Sequence, residues 1–399
     1  MSGLISVDEA LALISDHRPA TSARTVRLKE ALGERLAAPV MALRTQPPQA
    51  VSAMDGYAVR LSDVGEPNAR LHVIGAAPAG HPFEGRVSAG EAVRIFTGSV
   101  IPEGADHVII QENTERYGDQ LTSLEGQSVA RHIRAAGIDF SEGDTLIEQD
   151  TVLSPLHLAV AAASNNATLS VHSRLKVGLL SNGDELKPPG SDLNPGEIIN
   201  SNPYGLSGLI ESWGGEAVDL GIASDSVEAI HALMDRHSDI DIYVPIGGAS
   251  VGDHDHMRGA FRSRGFEPIF EKIAVRPGKP TWFSKSNNAL VLGLPGNPAS
   301  AMVCAYLFLA PLLGAAGSTR RIKCRLTRDV QDNGPREHFM RARAELTTDG
   351  TIEVTPATSQ DSSLLHPFMA CNALLRRQPN AAGAPTGTIV DAVLIGDLA

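Results

Sequence analysis

Cysteine is scarce: Cys304, Cys324 and Cys371 are the only three in a chain of 399 residues, and no two form a C-x-x-C pair. Neither a disulfide framework nor a zinc knuckle can be assembled from them, and a reducing cytoplasm is the expected compartment. Basic residues are in deficit, 34 Lys and Arg against 46 Asp and Glu, for a formal charge of −12. That balance argues against a general nucleic-acid binder, because phosphate affinity comes mostly from clustered Lys and Arg. The opening MSGLISVDEALALISDHR lacks a basic segment followed by an apolar core and a cleavage site, so it is not a signal peptide. It reads instead as a helix, with Ser6 as N-cap and Glu9 three residues on. No Ser-His-Asp order, Walker loop, Rossmann fingerprint, internal repeat or disordered tail is found.

Charge itself is missing between Lys285 and Arg320, and the second half of that stretch, SAMVCAYLFLAPLLGAAGST, ends against basic residues. A membrane span needs about 20 predominantly apolar residues. Here the run is diluted by Ala and Gly, holds Pro311 and starts from a glycine-proline loop, so a buried helix is expected and no span.

What the chain does have is 38 Gly and 25 Pro, dispersed as in a protein of many turns, and 42% hydrophobic residues, enough for more than one core. Two helical patterns are expected up to about Pro39, followed by a break at Thr45 to Gln49. Short β-rich runs from Val51 to Thr122 predict a compact β domain. His132 to Asn165 looks like a return to the first, mixed region, which makes the β domain an insertion. From Leu175 strands alternate with helical segments, the mark of βαβ units and a mostly parallel sheet. After Arg320 helices nearly vanish, which predicts a β-barrel-like or sandwich domain. The expected class is multidomain α/β plus β, with a mixed linker or dimerisation domain over 1–45 and 130–172, the insertion over 46–129, the α/β domain over 173–318 and a C-terminal β domain over 319–399.

In open α/β sheets ligands sit outside the carboxyl ends of the strands. Three post-strand loops should converge there: Asn182-Gly183-Asp184-Glu185, Gly247-Gly248-Ala249-Ser250-Val251-Gly252-Asp253-His254-Asp255, and Pro295-Gly296-Asn297-Pro298-Ala299-Ser300. Glycine-rich turns present backbone N–H groups to an oxyanion, and Pro298 at a helix start would leave those of Ala299 and Ser300 free. Tight turns alone would explain each string singly; together they favour an anion pocket. Asp184, Glu185, Asp253 and Asp255 would repel that anion unless a hard cation intervened, which points to Mg²⁺. The Asp253-His254-Asp255-His256 string lacks a third spaced ligand for a transition metal. Arg276-Pro277-Gly278-Lys279-Pro280 offers positive charge on a stiff turn. Read from the residues alone, the segments around Asp55 and Thr97 are structural.

These strings together resemble the MoeA and gephyrin E-domain family, the molybdopterin molybdenumtransferases. SAMDGYAV, RIFTG with its trailing IP, GAD and QE, the GDEL loop, GG-x-SVG-x-x-D, PGKP and GLPGNP-x-S occur in the family's order, and PREHFMRA and Gln360-Asp361-Ser362-Ser363 resemble its C-terminal domain. The resemblance covers essentially the whole chain. It implies a MogA-like, molybdopterin-binding α/β domain, the split mixed domain, the inserted β domain and the C-terminal β domain. It also implies an elongated homodimer whose active site lies between the α/β domain of one subunit and the inserted domain of the other. The implied reaction is Mg²⁺-dependent insertion of molybdate into adenylylated molybdopterin, with release of AMP.

Carried over by position, Glu185, Asp225 and Asp255 match acidic residues in or beside the pocket, and Asp55 and Thr97 those facing it from the partner. Glu185, Asp253 and Asp255 are the implied metal ligands. Gly247, Gly248, Ser250, Arg276, Lys279, Pro295, Gly296, Asn297, Pro298, Ser300, Arg336 and Ser363 fall on substrate-binding positions. Contacts with a MogA-type adenylyltransferase and with molybdoenzyme maturation proteins are further implied partners. The sequence departs from the family pattern at Asn182, at Ile246 after Pro245, and at Arg276, where a lysine is common. A second reading is therefore a divergent, non-catalytic molybdopterin-binding or scaffold paralogue.

Overall fold

A computed structural model describes residues 3–126, 131–237, 239–247, 256–315 and 320–398. The chain divides into two compact units, one spanning Ala23–His172 and the other joining the residues up to Ser22 with those from Ser173 onward.

In the unit Ala23–His172, six strands form one sheet in the order His107–Ile110, Gly56–Val59, Glu91–Ile95, Arg70–Ala77, Gln120–Ser123, Thr114–Tyr117. Its inward faces carry Tyr57, Val59, Leu71, Val73 and Leu121 on one side and Ala58, Val93, Ile95 and Val108 on the other. Among the described residues the rest of the unit consists of short antiparallel pairs, 3₁₀ turns and one α-helix, Pro155–Ala163, whose N-cap Ser154 and N3 residue His157 cap each other reciprocally. One expectation fails here. The second helical pattern before Pro39 is a strand, Ala23–Arg27, followed by a 3₁₀ turn, Leu28–Glu30. Ala23–Arg27 pairs antiparallel with Thr168–His172, so a distant partner overrides the local helical pattern.

In the other unit a six-stranded sheet runs Glu216–Ala223, Lys176–Asn182, Ile242–Ile246, Leu290–Gly293, Trp282–Lys285, Glu267–Phe270. The first four strands are parallel and the last two antiparallel additions. Alternate residues bury on opposite faces: Val177, Leu179, Ile242, Val244, Leu290 and Leu292 in one core, Leu180, Tyr243 and Val291 in the other. That two-sided burial is why these strands read as nearly continuous apolar runs. The helix Val7–Asp16, capped by Ser6 as expected, buries Val7, Ala10 and Ile14 in the first of these cores. Residues up to Ser22 thus belong with the α/β part, whereas the sequence places them in the mixed domain.

The charge-free stretch forms a buried helix in three pieces: Pro298–Cys304, a π-helical turn Ala305–Leu309, and Ala310–Leu312. Pro311 cannot donate to the preceding turn and its ring crowds the carbonyl four residues back, so the helix widens there instead of continuing. No helix among the described residues is long and apolar enough to cross a membrane.

Beyond Arg320 the strands Glu337–Leu346, Ile352–Pro356, Arg320–Leu326, Ile389–Leu394 and Ala373–Arg377 pair in that order, and the last pairs back to the first, closing a five-stranded ring. The two-residue strand Val275–Arg276 adds to its Glu337–Leu346 member, bringing the Arg276 turn against this ring.

Candidate functional site

The carboxyl ends of the parallel strands open on a cavity of about 760 Å³. Asn182 and Glu185 line it from the first post-strand loop, Ile246 and Gly247 from the second, and Pro295, Gly296, Asn297 and Pro298 from the third. Of the second loop, Gly248, Ser250, Asp253 and Asp255 lie outside the described residues.

Gly247 and Gly296 allow these loops to come together. A Cβ on Gly296 would lie 3.3 Å from the Gly247 Cα, and one on Gly247 would lie 3.3 Å from the Asn182 carbonyl oxygen, at a backbone φ of +87°. A side chain at Gly247 would strain the left-handed backbone and push the loops apart.

The third loop is tied to the C-terminal β ring. Asn297 Nδ2 donates to Ser362 Oγ at 2.9 Å, and the Ala299 N–H donates to the Ser362 carbonyl at 3.1 Å. The expectation of a free N–H on Ala299 is therefore wrong: the neighbouring loop takes it. Ser300 is buried and does not line the cavity. Ser363, from the same loop as Ser362, does; its hydroxyl and N–H both donate to Asp361 Oδ1, at 2.8 and 2.9 Å. Those two bonds, the backbone one leading, hold the Asp361 carboxyl below its usual range.

Among the acidic residues, Glu185 reaches the cavity wall. Asp184 instead accepts the Asp225 N–H at 3.4 Å, so Asp225 stands on the next loop beside Asp184 and is exposed. Asn182, one of the departures from the family pattern, donates from Nδ2 to the carbonyls of Ala223 and Ser224, at 3.3 and 3.1 Å. It fastens two post-strand loops together, while Ile246 gives the wall an apolar patch.

Arg276 lines a second cavity, of about 410 Å³, together with Arg328, His338, Gln360 and Arg377. Lys279 is exposed and lines neither cavity described here, and Arg336 donates to the Val275 carbonyl at 3.3 Å. Burial, followed by the charges of Arg276, Arg336, Arg377 and Arg341, drives the His338 pKa down to about 4. A histidine held neutral in the folded state is protonated more readily once unfolded. Its contribution is fully present above the unfolded value of about 6.5 and is lost as pH falls toward 4, a change of about 3 kcal/mol. Denaturant titrations at pH 7 and pH 4 should show His338→Gln losing less stability between the two than wild type; identical losses would contradict this linkage.

In the other unit, Asp55 sits in the turn before Gly56–Val59. Its Oδ1 accepts the Thr97 N–H at 2.7 Å and the Thr97 hydroxyl at 2.8 Å. The backbone bond first, then the hydroxyl, lowers the Asp55 pKa. Behind this pair the Arg94 guanidinium stacks on Tyr57 and Phe96, 5.1 and 4.8 Å from the ring centres, and donates to the Gly56 carbonyl and to Gln111 Oε1 at 2.9 and 2.6 Å.

Sequence reasoning missed Asn200, Ser201 and Asn202, which line the first cavity at the start of the helix Asn202–Ser212. Asn202 Nδ2 donates to the Gly296 carbonyl at 2.8 Å, and its buried Oδ1 has no partner. The available signal was the polar Asn-Ser-Asn before Pro203, between an apolar strand and a helix.

Comparison with known proteins agrees with this architecture along the whole chain. Residues 5–164 match the MoeA N-terminal region (domains I and II), 178–315 a probable molybdopterin binding domain, and 323–395 the MoeA C-terminal region (domain IV). The molybdopterin molybdenumtransferase of Haemophilus influenzae is 34% identical over 97% of this chain and 98% of its own length. That of Bacillus subtilis is 30% identical over 98% and 94%. A crystal structure of a molybdopterin biosynthesis MoeA protein from Pyrococcus horikoshii superposes with a TM-score of 0.86 at 27% identity, covering 99% of this chain and all of that one. The fold is that of a multidomain α/β and β protein built around a molybdopterin-binding type of domain, and the chain belongs to the MoeA family.

Proposed function

We propose that this chain is a molybdopterin molybdenumtransferase of molybdenum cofactor biosynthesis, inserting molybdate into adenylylated molybdopterin with release of AMP. Near-complete coverage of relatives bearing that name supports the reading. The single observation that carries it is the convergence of three post-strand loops and Ser363 on one cavity large enough for a pterin phosphate.

In this reading backbone groups of Gly247 and Gly296, with Asn297, position the phosphoanhydride, while Arg276, Lys279, Ser300, Arg336 and Ser363 are assigned to oxyanion recognition. The enzyme contributes positioning and charge neutralisation more than a nucleophile. Glu185 brings a hard carboxylate donor to a wall that also carries amide side chains, a set compatible with Mg²⁺, which takes one or two protein carboxylates plus substrate oxygens. Among the described residues no group of three or more His, Cys, Asp or Glu could hold a metal, so an ion at this wall would rely on Glu185 and ligand oxygens, with Asp253 and Asp255 as the other proposed ligands. Bound there, Mg²⁺ would neutralise the phosphoanhydride charge.

The reading keeps the inserted, α/β and C-terminal domains at the boundaries given above and the mixed domain without the residues up to Ser22, which group with the α/β part; it also keeps a cytoplasmic homodimer, Asp55, Thr97 and Asp225 as further reaction residues, and MogA-type and molybdoenzyme maturation proteins as partners. Ile246 on the cavity wall favours a second reading, pterin binding without insertion. Purified protein mixed with adenylylated molybdopterin, molybdate and Mg²⁺ should release AMP and form cofactor in a molybdate-dependent way. Tight pterin binding with no molybdate-dependent AMP would decide for the second reading.

A further inference from the structure

Arg341, on the Glu337–Leu346 strand, is 2% exposed. Burying a guanidinium costs several kcal/mol unless its donors are satisfied. Here they are spent on backbone carbonyls of a single irregular loop: Nη1 donates to Leu364 at 2.6 Å, and Nη2 to Ser359 at 3.1 Å and Asp361 at 2.8 Å. The same residue's backbone completes the clamp. Its N–H donates to Gln360 Oε1 at 2.9 Å, its carbonyl accepts Gln360 Nε2 at 3.0 Å, and the Ala357 N–H donates to that carbonyl at 2.8 Å. Gln360 Nε2 also donates to the Ala357 carbonyl at 3.1 Å.

A charged group aimed at three carbonyls of an otherwise unstructured segment fixes that segment more tightly than neutral bonds would. The clamped segment is the one that carries Ser362, joined to Asn297 and Ala299, and Ser363 at the cavity wall. Arg341 itself does not line the cavity. We propose that Arg341, tied to Gln360, is a positioning residue for oxyanion recognition: Arg341 sets where Ser363 and the Asn297 turn stand without touching substrate. This rests on the assignment of Ser363 to the substrate site.

The test measures AMP release against molybdate concentration for wild type, Arg341→Lys, Gln360→Ala, Ser363→Ala and the double variant Arg341→Lys with Ser363→Ala. Lysine keeps the charge but loses the planar fork, so its half-saturating molybdate concentration should rise about tenfold, with a smaller change in kcat. Ser363→Ala should shift the same parameter, and the double variant should be little worse than the worse single one, because both act through one hydroxyl. Gln360→Ala removes three side-chain hydrogen bonds while leaving the guanidinium in place, and it should move the molybdate dependence in the same direction even if Arg341→Lys fails to fold. If Ser363→Ala shifts the molybdate dependence while Gln360→Ala and a folded Arg341→Lys change only thermal stability, the positioning role is overturned and the site assignment stands. If Ser363→Ala leaves the molybdate dependence unchanged, the site assignment falls and the positioning role with it.

Discussion

Asp55→Ala should abolish molybdate-dependent AMP release, with turnover down by on the order of 10²–10³-fold, while the unfolding midpoint stays near that of wild type. The carboxylate is exposed and makes no core contact; its bonds go to Thr97 in the adjoining turn. The turn keeps other anchors, since the Asp55 carbonyl still accepts the Gln111 N–H at 3.0 Å and Arg94 still grips Gly56 and Gln111. Asp55→Asn retains an acceptor for Thr97 and separates charge from geometry: if charge matters, it is as inactive as alanine. Because Thr97 lowers the Asp55 pKa, the group stays ionised to below the ordinary value of about 3.9, and no loss of activity above that pH should arise from its protonation. Steady-state AMP assays beside thermal melts check all of this, and full activity in Asp55→Ala would remove the residue from the reaction.

Gly56→Ala, one residue on, should cost about 3 kcal/mol or more in stability, the range of core overpacking at a site that cannot relax. A Cβ there would lie 1.9 Å from the Ile109 carbonyl oxygen and 2.9 Å from its carbon, both backbone atoms. The strand Gly56–Val59 is paired on both sides, to Glu91–Ile95 and to His107–Ile110, so neither neighbour can retreat without breaking its ladder. Urea titration is the measurement. A midpoint shift with unchanged slope is expected, and a loss below about 1 kcal/mol would mean the sheet is more compliant than its pairing implies.

The contrast between these neighbours shows what the sequence makes legible. Alternation of strand and helix, the Ser6 cap and the glycine-rich strand ends are local signals, and each leads to a local structure the chain adopts. Ala23–Arg27 reads locally as helix because its strand character comes from Thr168–His172, far along the chain. The Ala299 N–H reads locally as free, but it is taken by Ser362, which lies next to it only through folding of the C-terminal ring. Arg341 lies in the PREHFMRA string, but an arginine in a β strand looks like an exposed rung, and only the folded loop around it shows where its donors go. Asp55 and Thr97 entered through family resemblance, since an Asp-Gly turn and a Thr-Gly turn are ordinary punctuation when read alone. Local patterns thus give the elements and the loops that bear the site, whereas partners drawn from distant segments decide which groups remain available to a ligand.

The placement of the helix Val7–Asp16 in the α/β core also bears on how the protein is made. During synthesis that helix leaves the ribosome ahead of the whole unit Ala23–His172, yet the sheet that covers Val7, Ala10 and Ile14 is completed only later. At about 5–20 residues per second, the intervening unit alone keeps this apolar face waiting for roughly 10–30 s. A nascent chain stalled before Lys176 would then hold Val7, Ala10 and Ile14 without the sheet that buries them.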